Sequence, residues 1–186
     1  MEQALSAGVR FFQYRNKRGI RRDIYRTAKD LARIARQAEA LFIVNDHADI
    51  AAAADADGVH LGQDDLPISE ARKLLGKNKL IGISTHSSDE ARSAASAGAD
   101  YIGFGPIFMT TTKDAGQVQG VGNLAAIRSI IAIPIIAIGG ITTANISETL
   151  SHGADGVAVI SALLATPDIK VEAERMVRAI SGTREG

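Results

Sequence analysis

With 186 residues, 46% of them hydrophobic, the chain is long enough to bury a sizeable core and too apolar to be disordered. Lys+Arg and Asp+Glu number 21 each, which argues against a nucleic acid or a membrane surface held by bulk charge but leaves room for a local basic pocket that takes a phosphorylated metabolite. The lack of cysteine removes disulfides, thiolate metal sites and thiol nucleophiles, and no apolar stretch has bilayer length or the pattern of a signal peptide, so one soluble, cytoplasmic domain over residues 1–186 is expected.

The chain opens on a helix end, "MEQALSAG", followed by a first strand at Val9–Tyr14. "RRDIYRTAKDLARIARQAEA" then carries Ile24, Ala28, Leu31, Ile34 and Ala35 at helical spacing. Strands are expected next at Leu41–Asn45 and Gly58–Leu61, separated by the short helix "ADIAAAA". "PISEARKLL" starts with Pro67, a favoured first helical position, and leads to a strand at Leu80–Ser84. "SSDEARSAASAG" offers Ser87 or Ser88 as cap and Gly98 as stop before a strand at Tyr101–Gly105. A long loop, the helix "NLAAIRSII" and a strand at Ile133–Gly139 follow. "ANISETLSHG", a strand at Gly156–Ser161 and "DIKVEAERMVRAIS" complete the set.

One phrase recurs at the entry to strands: "SAGVRFF", "DADGVHL", "SAGADYIGF" and "SHGADGVAV". It reads as a helix stopping at a small residue, a tight turn and a buried strand. Short apolar strands alternating with helices predict an α/β fold, and its closed form is the (β/α)8 TIM barrel. Only seven strands are found, so the barrel is expected to lack its first β-strand in this chain; a doubly wound open sheet is the alternative.

Active sites of such barrels lie at the C-terminal ends of the strands. After the first strand come Gln13, Arg15 and Lys17, which suit a phosphate or pyrophosphate, although alone they also fit a solvated strand end. After the second come Asn45, Asp46 and His47, and after the third Gln63, Asp64 and Asp65. Two carboxylates at adjacent strand ends opposite two cations suit Mg²⁺ bridging to pyrophosphate oxygens; Asp46 alone would equally suit a helix cap. Ser84, Thr85 and His86 follow the fourth strand. The loop "GPIFMTTTKDAGQVQG" brings Thr110, Thr112 and Lys113, which could bind an anion or belong to a polar loop. Gly139 and Gly140 follow the sixth strand, where backbone N–H groups can approach a phosphate. Polar groups thus follow every strand, while small residues and acids precede them, as expected of one catalytic mouth.

These residues resemble a known family. "QYRNK", "VNDHADIA", "ADGVHLGQDD", "IGIST", "ADYIGFGPIFMTTTK", "IPIIAIGGI" and "GADGVAVIS" are similar, in order, to the motifs of thiamine-phosphate synthases, over about Ser6 to Ser161. The resemblance implies a transferase that joins a hydroxymethylpyrimidine diphosphate to a thiazole phosphate, releasing pyrophosphate by way of a pyrimidinyl carbocation. It implies Mg²⁺ on Asp46 and Asp65, with Asp64 the variable neighbour. It implies that Gln13, Arg15, Lys17, Asn45, Ser84 and Lys113 hold the pyrimidine diphosphate. Thr110, Thr112, Gly139, Gly140, Ile160 and Ser161 would face the thiazole phosphate. Arg15, Lys17, Ser84 and Lys113 would carry the catalysis. Met109 departs from the family's usual Pro. A thiazole tautomerase of the same fold and a non-catalytic, truncated paralogue are the rival readings. The four histidines, His47, His60, His86 and His152, receive no role, and His60 is expected to be packed inside. Oligomeric state is left open.

Overall fold

The computed structural model describes residues 1–110 and 116–184. Helices and strands alternate: α1 (Glu2–Ser6), β1 (Phe11–Tyr14), α2 (Arg21–Gln37), β2 (Leu41–Asn45), α3 (Ala48–Ala53) and β3 (Gly58–Leu61). Next come α4 (Ile68–Leu75), β4 (Leu80–Thr85), α5 (Ser88–Ser96), β5 (Tyr101–Phe104), α6 (Gly120–Arg128) and β6 (Ile135–Ile138). The chain ends through α7 (Ile146–Ser151), β7 (Gly156–Ala158), α8 (Ser161–Leu164) and α9 (Ile169–Arg184). All pairings are parallel, in the order β1-β2-β3-β4-β5-β6-β7. The sheet is curled. In a flat sheet β1 and β5 would lie four strand spacings, roughly 19 Å, apart. Instead the rings of Phe11 and Tyr101 meet edge to face with centroids 5.6 Å apart. The result is a TIM-barrel-like shell of seven strands, as expected. Among the described residues β1 and β7 do not pair with each other, and α9 packs against α7 and α1 across the seam.

The sequence expectation is corrected at a few boundaries. Pro67 is the N-cap of α4, one residue before the helix proper. The last strand stops at Ala158, because the backbone turns at Ile160 (φ −125°, ψ −77°) and Ser161 opens α8. β1 begins at Phe11 and β6 at Ile135, both two residues later than expected. Ser87 does cap α5, its side chain accepting from the Glu90 N–H at 3.2 Å.

The recurring phrase has one structural meaning. At Gly8, Asp55, Gly98 and Gly153 the backbone enters the left-handed region (φ 96°, 52°, 90° and 101°). There the preceding helix closes by backbone bonds such as Gly98 N–H to Ala95 and Ala99 N–H to Ala94. In three of the four repeats an aspartate follows, and each makes the same two-bond ring with the strand before. Asp57 accepts from the Phe42 N–H at 2.8 Å, Asp100 from Ile81 at 2.7 Å and Asp155 from Ile135 at 2.8 Å. Each also donates its own N–H to the same residue's carbonyl. Arg72 pairs with Asp100 at 2.6 Å and Arg128 with Asp155 at 2.9 Å, from α4 and α6, the helices that lead into β4 and β6. The acids that precede strands therefore fasten the bottom rim in pairs, β2 to β3, β4 to β5 and β6 to β7. Above that rim, Phe42, Val44, Val59, Leu61, Ile81, Ile102, Phe104 and Ile135 fill a continuous apolar core with the helices.

Candidate active site

Parallel register sets every strand's C-terminal end on one rim, so the polar groups that follow the strands share a mouth. Asp46 stands one residue beyond β2. Its N–H donates to the His60 carbonyl at 2.8 Å, and its φ is +66°, so the chain reverses there. His47, not Asp46, is the N-cap of α3, and it makes no side-chain cap bond. The capping alternative for Asp46 is therefore not realised, and its carboxyl is left to the mouth. Asn45 is buried below and donates its amide to Asp46 Oδ1.

Asp65 reaches the same place by a tight turn after β3, in which its Oδ2 accepts from the Gly62 N–H at 2.7 Å. The carboxyl groups of Asp46 and Asp65 come within hydrogen-bonding reach of each other. Burial, and then the Asp65 charge, raise the Asp46 carboxyl above its usual range; Lys17 and Arg15 pull the other way. The acid pair and the two cations expected from sequence are thus brought together. The cations get there by a turn, not by an extended strand: β1 stops at Tyr14, and Asn16 Oδ1 accepts from the N–H groups of Arg18 and Gly19 at 3.2 and 2.9 Å. Asp64, by contrast, is exposed. Among the described residues no group of three or more His, Cys, Asp or Glu forms a metal cage. Two converging carboxylates fit a hard cation such as Mg²⁺, which keeps several waters and takes other oxygens from a phosphorylated ligand.

Ser84 lies near the end of β4. Its Oγ is 2.9 Å from His60 Nε2, and its carbonyl accepts from Gln63 Nε2 at 2.6 Å. His60 Nδ1 is in turn 3.0 Å from the Tyr101 hydroxyl, which also meets the Gln13 side chain. Burial pushes the His60 imidazole down to about 4, so it is neutral, and pushes the Tyr101 phenol up. His60 is packed, as expected, but it is also hydrogen-bonded on both ring nitrogens. Tyr101, the bond from Gln63 to Ser84 and this use of His60 were missed by sequence reasoning. The available signal was a tyrosine and a histidine in otherwise apolar, covered strands, since buried polar groups require partners.

On the opposite side of the mouth the loops after β5 and β6 are zipped together. The Ile107 N–H donates to Ile138 at 2.9 Å and the Phe108 N–H to Gly139 at 3.0 Å. Gly139 and Gly140 both have positive φ (92° and 66°). A Cβ on Gly139 would lie 2.5 Å from Pro106 Cβ, and one on Gly140 would lie 2.4 Å from the Met109 carbonyl oxygen. Only glycine lets the loop that carries Thr110 come this close. Pairing of Ile138 with Ala158 puts Ile160 and Ser161 on the neighbouring stretch of rim. Thr112 and Lys113 lie outside the described residues.

A family model for thiamine monophosphate synthase matches residues 1–163. The chain belongs to the thiamine monophosphate synthase family. Within it, a thiamine-phosphate synthase from Chloroflexus aurantiacus is 47% identical over 186 residues, 100% of this chain and 86% of the relative. Another from Chlorobium phaeovibrioides is 51% identical over 178 residues, 95% of this chain and 85% of the relative. Among solved structures, a thiamine phosphate pyrophosphorylase from Pyrococcus furiosus superposes with a TM-score of 0.91 at 40% identity, covering 97% of this chain and 87% of that one. The barrel alone extends beyond the synthase family: a 3-hexulose-6-phosphate synthase from Salmonella typhimurium gives a TM-score of 0.76 at 18% identity, covering 98% of this chain and 91% of that one.

Proposed function

We propose that this chain is a thiamine-phosphate synthase, a transferase that joins a hydroxymethylpyrimidine diphosphate to a thiazole phosphate and releases pyrophosphate. The observation that carries this, beside family membership, is the Asp46–Asp65 carboxyl pair with Arg15 and Lys17 acting on it at one barrel mouth. A diphosphate leaving group needs charge neutralised where its bond breaks, and this mouth supplies positive side chains and an acid pair able to hold a cation. Asp46 and Asp65 would hold Mg²⁺, with Asn45 orienting Asp46 from below. When bound, the ion supplies charge stabilisation to the departing pyrophosphate.

Arg15 and Lys17 bind the diphosphate from the turn after β1, and Lys113 adds a third cation. Gln13 and Ser84 orient the pyrimidine. As the C–O bond to pyrophosphate breaks, electron donation from the ring amino group stabilises the pyrimidinyl cation, and the thiazole nitrogen then bonds to the exocyclic carbon. No base has to remove a proton and no side chain has to form a covalent intermediate. Thr110, Gly139, Gly140, Ile160 and Ser161 hold the thiazole phosphate on the other side, where the two glycines keep backbone close to its oxygens, and the family motif adds Thr112 to this set. Among the described residues no helix is long and apolar enough to cross a membrane, and we assign the reaction to the cytoplasm.

The test is pyrophosphate release from the purified chain. Release is expected only with both substrates and Mg²⁺, and a chelator should stop it. Asp65→Asn, which keeps an acceptor for the Gly62 N–H but removes the charge, should lower kcat/KM by roughly 100-fold or more. Asp64→Asn should change it less than about threefold. Equal losses in the two variants would overturn the assignment of the acid pair.

A further inference from the structure

Where β4 meets β5 at the mouth, the ladder ends on a side chain. Thr85 and Phe104 are the last paired residues, and beyond them the Gly105 N–H donates to the Thr85 carbonyl at 3.4 Å. One more step of a parallel ladder would give the Gly105 carbonyl the N–H of Ser87. By then the chain has left the sheet, because Ser87 is the N-cap of α5. His86 supplies a donor instead: its Nδ1 is 2.6 Å from the Gly105 carbonyl oxygen. A carbonyl oxygen can only accept, so Nδ1 carries the hydrogen. The backbone of His86 is fixed as well, its N–H donating to Glu90 Oε2 at 2.6 Å in the first turn of α5.

Gly105 is the root of the arm that leads to Thr110, and this root is held from two sides. On the β6 side are the bonds from the Ile107 and Phe108 N–H groups, and a Cβ on Gly105 itself would lie 2.1 Å from the Ile138 carbonyl oxygen. The returning chain closes over the arm, with the Gln119 N–H on the Pro106 carbonyl at 2.8 Å and the Gly120 N–H on that of Ile107 at 3.0 Å. On the β4 side, Thr85 Oγ1 donates to the Gly103 carbonyl at 3.2 Å, and the His86 imidazole is the tie farthest along toward Thr110. Gly105 is buried, so its carbonyl without the imidazole would be left short of a donor, and the arm would shift to find one.

We propose that His86 is a positioning residue for the reaction: acting through the Gly105 carbonyl, it sets the arm that carries Thr110 against Gly139 and Gly140, and so places the thiazole phosphate relative to the pyrimidine. This deepens the reading of the mouth as a synthase site and rests on it. Ser84, two residues before His86, belongs to the pyrimidine half, and the arm belongs to the thiazole half. His86 stands at their junction. Joining two bound substrates depends on their separation, and an error of about 1 Å can cost roughly 100-fold.

The experiment measures KM for each substrate in pyrophosphate release with Mg²⁺, beside amide hydrogen exchange without substrates. His86→Ala should raise KM for the thiazole phosphate about tenfold, through the loss of one hydrogen bond. KM for the pyrimidine diphosphate should stay within about threefold, a split that general loosening would not produce. His86→Asn, whose amide can take the place of Nδ1–H, should recover most of the loss; His86→Gln, whose amide reaches the place of Nε2, should not. The Ile107 and Phe108 amides should exchange roughly tenfold faster in His86→Ala, with those of Phe42 and Val44 unchanged, and His86→Asn should restore them. Should His86→Ala fail to fold, the comparison of His86→Asn with His86→Gln decides. Wild-type KM in His86→Ala, recovery by His86→Gln alone, or unchanged exchange at Ile107 and Phe108 would overturn the proposal. Failure of the wild-type chain to release pyrophosphate would instead overturn the functional reading beneath it, and the exchange rates would still decide whether His86 holds the arm.

Discussion

Asp46 combines two costs at one residue: a left-handed backbone, uncommon outside glycine though tolerated by aspartate and asparagine, and a carboxyl held beside a second one. Folding therefore works against the charged form of Asp46. Its folded pKa lies above the ordinary 3.8, so the cost is absent below that pH, where the group is protonated in both states, and grows as pH rises toward the folded value. Asp46→Asn tolerates the same backbone and removes the charge. In chelator at neutral pH it should raise Tm by about 2 °C, a gain that vanishes below about pH 4. With Mg²⁺ and pyrophosphate the order should reverse, the wild type gaining stability and Asp46→Asn gaining none. Differential scanning calorimetry at two pH values checks both; a lower Tm for Asp46→Asn in chelator would show that the pair is not strained. Asp46 was legible in the sequence because it follows an apolar strand directly, whereas Asp65, four residues beyond β3, was told from Asp64 only by the resemblance to the synthase motif. The Tyr101–His60 contact was not, because its partners are 41 residues apart and the space they fill is defined by what Gly82 and Gly103 lack.

The repeating element is the helix end, left-handed turn, aspartate and strand. The phrase was plain in the sequence, and so was its place at the structural end of the barrel. What could not be read there was that the aspartate turns sideways to hold an N–H near the start of the preceding strand, since that depends on register between strands. Asp100 illustrates the consequence: its Oδ2 takes both the Ile81 N–H and Arg72. Asp100→Ala leaves a covered N–H and a half-buried guanidinium without their acceptor, and should cost about 2–3 kcal/mol by urea unfolding. Asp89→Ala, whose side chain is 95% exposed with Arg92 at 3.9 Å, should cost under about 1 kcal/mol. Equal costs would mean that the tie contributes nothing. The misplaced end of β7 has a similar cause. "GVAVIS" reads as one apolar run, but the chain turns at Ile160 to bring Ser161 into α8.

For the molecule as a whole, the count of seven strands and their parallel order followed from the alternation of patterns, while the curl is visible only in cross-barrel contacts such as Phe11 with Tyr101. The seam leaves β1 and β7 with one neighbour each among the described residues, whereas β3 and β4 have two. Amide hydrogen exchange should show it: the amides of β1 and β7 should exchange at least about 100-fold faster than those of β3 and β4. Uniform protection across the sheet would mean that the seam is closed in solution.

The bottom-rim ties also imply an order of assembly. Each aspartate fastens a strand only 15, 19 or 20 residues back along the chain. Loops of that size close on the order of 100 ns, and lengthening a loop adds entropic cost only slowly. Three β–α–β modules can thus form locally and independently. The groups at the mouth have no such short route, since Gln13 must find Tyr101 across most of the first half of the sequence. The chain would build its foundation early and its chemistry late, so a lesion in one rim module would slow folding, whereas a lesion at the mouth would leave the folding rate nearly untouched.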